Sequence, residues 1–128
     1  TVTLNTALDL TYRVRDLRPH ATHRVTDVTE RPGGKGLNVA RVLAALGHEV
    51  TVTGFVGGAT GRAVQEQLTH TPGVVDALVP VEGATRRTIA VADASGDTTQ
   101  LNEPLSLRVR KDSMGESAVC PPTELPAR

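Results

Sequence analysis

Cysteine is almost missing from this chain: Cys120 is the only one in 128 residues. A single thiol excludes an internal disulfide framework and a cysteine-built zinc site. The four histidines, His20, His23, His48 and His70, show no paired metal-ligand spacing. Aromatic residues are scarce too, with Tyr12 and Phe55 the only two and no tryptophan. Proteins that hold single-stranded nucleic acid rely on aromatic platforms for stacking, and this chain lacks them. An excess of charge is also lacking, since fourteen Lys and Arg balance fourteen Asp and Glu. With no global field to attract polyanions, any anion binding has to come from local geometry. No apolar run approaches the roughly 20 residues that span a bilayer. Thr1 to Asp9 does not follow the basic-then-apolar plan of a signal peptide. Nucleic acid and membrane are therefore not expected partners, and a soluble, cytoplasmic protein is the expectation.

What is present points to an α/β chain. Its 38% apolar content is below the roughly 45–50% of an average globular protein, enough for one domain with a modest core. Thr1-Val2-Thr3-Leu4 alternates and is β-branched, which reads as a first strand. Leu8 to Val14 and His23 to Thr29 are also β-leaning, but they interleave Thr, Arg and Asp with apolar residues. Such strands suit a small, half-exposed sheet better than a buried parallel core. Leu37 to Gly47 is dense in alanine and leucine and closes on glycine, which predicts a helix near 36–46. Val50 to Val56 predicts a buried strand. Arg62 to Thr69 predicts a second helix, with Thr60 as candidate N-cap. Val74 to Val81 is strand-like, and so are Thr85 to Ala92 and Thr98 to Asn102, with a turn at Ala94-Ser95-Gly96-Asp97. Strand and helix alternation implies a parallel sheet with flanking helices, to which the polar strands are attached. After Pro104 the pattern stops among charges and prolines, and residues 105–128 are expected to be a disordered tail or sequence foreign to the fold.

The segment Pro32-Gly33-Gly34-Lys35-Gly36 is the first candidate site. Consecutive glycines let backbone approach a ligand closely, and the following helix presents free N–H groups and a partial positive charge. Lys35 adds a full charge. The spacing is neither Walker A nor G-x-G-x-x-G, and a glycine-rich turn ahead of a helix is also a purely structural device. Asn38 places an amide in the first turn of that helix. Asp9 lies just past the first strand, where open parallel sheets bind ligands, although a lone aspartate there is also an ordinary turn residue. Arg86 and Arg87 are adjacent in a strand and so face opposite sides. One can offer its planar fork to a phosphate while the other stays solvated.

In chain order, Asn5-Thr6-Ala7-Leu8-Asp9, Pro32 to Ala40, Gly54-Phe55-Val56-Gly57-Gly58-Ala59-Thr60-Gly61 and Thr85-Arg86-Arg87-Thr88 form a recognisable set. Together they resemble the N-terminal part of the phosphofructokinase B (PfkB) family of carbohydrate kinases, within the ribokinase-like fold. The nearest subgroups are 1-phosphofructokinase and tagatose-6-phosphate kinase. The resemblance covers residues 1–104 and implies an α/β core with a small β-lid, whose strands fall near 8–29 and 85–102. It implies phosphoryl transfer from ATP, with Mg²⁺, to a sugar phosphate, and a homodimer formed through the lid. By position, Asp9, the Gly33-Gly34 backbone and Asn38 are expected to bind sugar hydroxyls, with Lys35 and Arg86 near the phosphate. Thr6 stands where the family usually has proline. The Gly-x-Gly-Asp segment that carries the family's catalytic aspartate does not occur in this sequence. The expectation is a truncated kinase with a sugar-binding half and no catalytic base, or a noncatalytic sugar-phosphate-binding or dimerisation remnant.

Overall fold

The computed structural model describes residues 1–108. Of the tail expected over 105–128, all but the first four residues lie outside the described residues. The elements are β1 (Val2–Thr3), β2 (Ala7–Arg13), β3 (Asp27–Gly33), α1 (Lys35–Ala45) and β4 (Val50–Val56). They are followed by α2 (Gly58–Thr69), β5 (Val74–Pro80), β6 (Arg86–Ala92) and β7 (Thr98–Asn102). Two sheets result. One has the order β1-β4-β5 and is parallel throughout. The other has the order β3-β2-β6-β7, with a parallel β2–β6 pair between two antiparallel pairs. This is the expected α/β arrangement of a parallel sheet, flanking helices and a separate polar lid.

Local chemistry explains most element limits. α1 ends on a Schellman motif, in which Gly47 N–H donates to the Ala44 carbonyl and His48 N–H to the Leu43 carbonyl. Gly47 occupies φ 88°, a conformation that glycine adopts without penalty. In β4 the residues Val50, Val52 and Val56 turn inward, as a β-branched strand under helices should. They join Leu37 and Ala40 of α1, Val64 and Leu68 of α2, Leu78 of β5, and Leu8 and Leu10 of β2 in one core cluster. The lid is therefore packed onto the body, not merely tethered to it. Val2, Val75 and Val79 of the parallel sheet remain 65%, 45% and 48% exposed. They lie on the face opposite the helices, so the sheet is covered on one side only, whereas parallel sheets are ordinarily buried on both.

Two elements differ from the sequence reading. The strand expected over 23–29 lies at Asp27–Gly33 and runs into the glycine block. Pro32 and Gly33 look like turn residues locally, but β2 supplies a full partner ladder from Ala7↔Gly33 to Arg13↔Asp27. Proline is tolerated because β3 is an edge strand. α2 begins at Gly58, not near Arg62, and Gly57 is its N-cap without any side-chain cap bond. The Thr60 hydroxyl, expected to cap the helix, instead donates to the Thr85 carbonyl at 2.6 Å. Leu105 to Arg108 run back beside the body: Glu82 and Arg108 exchange backbone hydrogen bonds, and Ser106 Oγ donates to the Ala84 carbonyl.

Candidate functional site

The buried polar residues of the described chain are all threonines: Thr3, Thr6, Thr85 and Thr88. They cluster where the chain passes between the two sheets, and the candidate site opens there. At that junction β3 stops at Gly33 and α1 starts at Lys35, with Gly34 between them at φ 110°. Only glycine adopts that conformation readily, and a Cβ at Gly34 would also stand 2.7 Å from Thr3 Cγ2. α1 has no side-chain cap, so its first N–H groups stay available to a ligand. A cleft of about 350 Å³ lies against this terminus, lined by Val2, Thr3, Asn5, Gly34, Lys35 and Arg86 among others.

Arg86 is fixed before any ligand arrives. Its Nε–H donates to Asn5 Oδ1 at 2.9 Å, and Nη1 donates to Thr88 Oγ1 at 3.0 Å. This leaves the Nη2 edge for an incoming anion. Lys35 is exposed and takes part in none of the ion pairs among the described residues. Two cations and a helix N-terminus thus face one cleft whose lining, among the described residues, includes no acidic side chain.

Asp9 stands on the same face of β2 as Ala7, opposite Gly33, and it pairs across the sheet with Arg31 and Thr88. Its carboxylate occupies the space that a side chain on Gly33 would need: a Cβ there would lie 2.2 Å from Cγ and Oδ1. It has no hydrogen bond or ion pair among the described residues, which leaves its oxygens free to accept from hydroxyls. Asn38 is placed differently. It is exposed one turn into α1, outside the cleft lining, and its amide oxygen accepts from Arg41 Nη2. The structure therefore brings Gly34, Lys35 and Arg86 together, sets Asp9 over Gly33 beside them, and turns Asn38 toward Arg41.

Arg87 takes the opposite face, as strand alternation requires. Its backbone N–H donates to Glu103 Oε2, while Nε and Nη2 donate to Oε1 at 2.9 and 2.6 Å. These hydrogen bonds hold the Glu103 carboxyl below its usual range and push the Arg87 guanidinium further up. Asn5 and Thr88 hold Arg86 in place, a role that the sequence reading did not assign to them. Both stand in the segments quoted above, but nothing in those segments pairs them with Arg86. Among the described residues no three His, Cys, Asp or Glu side chains gather as a metal site. A second cleft of about 270 Å³, near the start of α2, has Arg62 as its one charged residue.

The family model for pfkB family carbohydrate kinases matches residues 2–111. A tagatose-6-phosphate kinase of Staphylococcus epidermidis is 33% identical over 111 residues, covering 87% of this chain and 36% of that protein. The crystal structure of Escherichia coli phosphofructokinase-2 in complex with fructose-6-phosphate superposes with a TM-score of 0.79 at 32% identity, again over 87% and 36% of the two chains. A possible 1-phosphofructokinase of Thermotoga maritima gives a TM-score of 0.74 at 36% identity, over 80% of this chain and 34% of that one. The chain spans about a third of the length of these relatives, matching their N-terminal part. Its ribokinase-like fold and the family match over most of its length establish that this chain belongs to the pfkB family of carbohydrate kinases.

Proposed function

We propose that the chain carries the acceptor-binding half of a sugar-phosphate kinase and binds a ketohexose phosphate in the cleft between β1, α1 and β6. The observation that carries this reading is Arg86, held by Asn5 and Thr88 beside Lys35 and the uncapped start of α1. A phosphate monoester suits that set: the guanidinium fork matches its oxygens, the ammonium adds charge, and the helix N–H groups complete the cradle. Asp9, free over Gly33, accepts hydrogen bonds from the sugar hydroxyls. Fructose 1-phosphate, or a fructose or tagatose 6-phosphate of the kind named for the relatives, has this chemistry.

Family membership implies ATP as phosphoryl donor and Mg²⁺ as its counterion. The described residues do not fit either group: no carboxylate cluster is available for the metal, and the second cleft offers a single cation. Phosphoryl transfer needs a base for the attacking hydroxyl and donors for the developing charge. Asp9, beside the cleft and outside its lining, is assigned to substrate hydroxyls, and among the described residues the lining holds no carboxylate to serve as base. The chain alone thus binds its sugar phosphate without turning it over. Isothermal titration with fructose 6-phosphate, tagatose 6-phosphate and unphosphorylated fructose tests the reading. Saturable binding of the phosphates that is lost in Arg86→Ala supports it; equal binding of fructose, or none of any, refutes it.

A second reading rests on the lid. Tyr12 and Val28 are cross-strand partners, as are Ile89 and Leu101, and Val28 and Leu101 are 51% and 58% exposed on one lid face. This apolar strip suits a homodimer formed lid to lid. Sedimentation of Leu101→Asp against the unaltered chain decides it: a dimer that persists in the variant removes the lid from the interface.

A further inference from the structure

Besides the apolar packing of Leu8 and Leu10, a polar link between the lid and the body runs through one buried side chain that has no assigned role. Thr85 is 1% exposed and immediately precedes Arg86. Three hydrogen bonds tie it to the start of α2. Its hydroxyl accepts from Gly57 N–H at 3.0 Å, its own N–H donates to the Gly57 carbonyl at 2.8 Å, and its carbonyl accepts from Thr60 Oγ1 at 2.6 Å. Gly61 leaves the room this requires, since a Cβ there would stand 3.1 Å from Thr85 Oγ1. The contact is reciprocal: Thr85 satisfies a donor that α2 would otherwise leave open, and α2 fixes Thr85.

We propose that Thr85 is a positioning residue, a pin that sets the direction of Arg86 into the cleft and so transmits the placement of α2 to anion binding. The physical link is the planarity of the peptide unit. The Thr85 carbonyl and the Arg86 nitrogen belong to one rigid plane, so the bond from Thr60 orients the start of β6. The bond from Thr85 N–H to Gly57 fixes the plane before it. With both planes set, the Arg86 side chain leaves the strand toward Asn5 and Thr88, opposite Ala7 in the register. If the pin is removed, Arg86 keeps its charge but loses its fixed direction. The consequence for ligand binding rests on the sugar-phosphate reading; the consequence for Arg86 itself does not.

The test therefore reads Arg86 directly. Exchange of the Arg86 Nε–H with water is followed by NMR on the full chain, with the signal identified by its disappearance in Arg86→Lys. Fructose 6-phosphate affinity is measured in parallel. In Thr85→Val, exchange is expected to quicken by about tenfold and affinity to fall by about tenfold, the equivalent of one lost hydrogen bond. Thr85→Ser, which keeps the hydroxyl, restores both. Thr60→Val, at a partly exposed position, removes the bond to the Thr85 carbonyl, likewise one of the three, and quickens exchange by a similar factor. An Arg86 signal in Thr85→Val that exchanges at the wild-type rate overturns the proposal. If Thr85→Val loses its amide dispersion, the wild-type rate in Thr60→Val overturns it equally. If Arg86 responds as expected while no chain binds fructose 6-phosphate, the pin stands and the sugar-phosphate reading falls.

Discussion

Replacing Gly33 with alanine separates binding from folding at this site. Gly33 is not among the glycines with positive φ, so its backbone conformation accepts a side chain. The three atoms nearest the new Cβ all belong to the Asp9 carboxylate, at 2.2 Å for Cγ and Oδ1 and 2.3 Å for Oδ2, where ordinary contact starts at 3.4 Å. The carboxylate has to retreat by roughly 1 Å, a displacement large enough to spoil a binding geometry. Retreat is inexpensive for the fold, because Asp9 is half-buried and holds no hydrogen bond or ion pair among the described residues. A strained rotamer costs about 0.5–1.5 kcal/mol, which sets the upper range of the stability loss. A hydrogen bond to a charged group contributes about 1.5–3 kcal/mol, so sugar-phosphate affinity should fall roughly ten- to hundredfold. Titration calorimetry with fructose 6-phosphate, alongside chemical denaturation, reads both quantities. Gly34→Ala is the contrast: there both φ 110° and Thr3 oppose a side chain, and stability itself should drop. Wild-type affinity in Gly33→Ala would show that Asp9 does not touch the ligand, and a collapse of stability would show that its carboxylate is held by the fold.

Three further outcomes are expected. Thr3→Val should raise the unfolding free energy by about 1 kcal/mol, because Thr3 Oγ1 is buried without a partner. Thr6→Val should lower it, because Thr6 Oγ1 donates to the Thr3 carbonyl; denaturant melts giving both changes the same sign would refute this. The Glu103 carboxyl is depressed chiefly by its side-chain hydrogen bond from Arg87, so its contribution is complete above the ordinary carboxylate pKa of about 4.3 and is lost as pH falls through the depressed value. NMR titration of Glu103 should show that depression in the wild type and a midpoint shifted back toward the ordinary value in Arg87→Gln, whose backbone N–H still donates to the carboxylate, and the same midpoint in both would disprove the clamp. A coupled assay on the purified chain should show no ATP-dependent phosphorylation of fructose 1-phosphate, fructose 6-phosphate or tagatose 6-phosphate, and turnover that disappears in Asp9→Ala would place a working base in this chain.

The sequence by itself determined those features whose causes are local. α1 was legible from its alanine and leucine density and from Gly47, whose left-handed conformation closes the helix through two backbone bonds. The strands from Val50, Val74 and Arg86 onward were legible from β-branched runs and turn residues, and Gly34, Lys35 and Arg86 from the residue types that anion binding requires. Only the tertiary structure decided where β3 lies, since the ladder from β2 overrides the turn character of Pro32 and Gly33. It also decided that α2 starts at Gly58, because the partner that steadies its first turn is Thr85, distant in sequence, and not a neighbouring cap. The same applies within the site. Asn5, 81 positions from Arg86 in sequence, reaches it only through the tertiary structure, whereas the Asn38–Arg41 and Arg86–Thr88 bonds are local, within one helix and one strand. A turn or a cap is specified by a few adjacent dihedral angles, which the residue types encode directly. A side chain's direction at a junction between sheets is set by contacts among residues tens of positions apart, and no local pattern contains them.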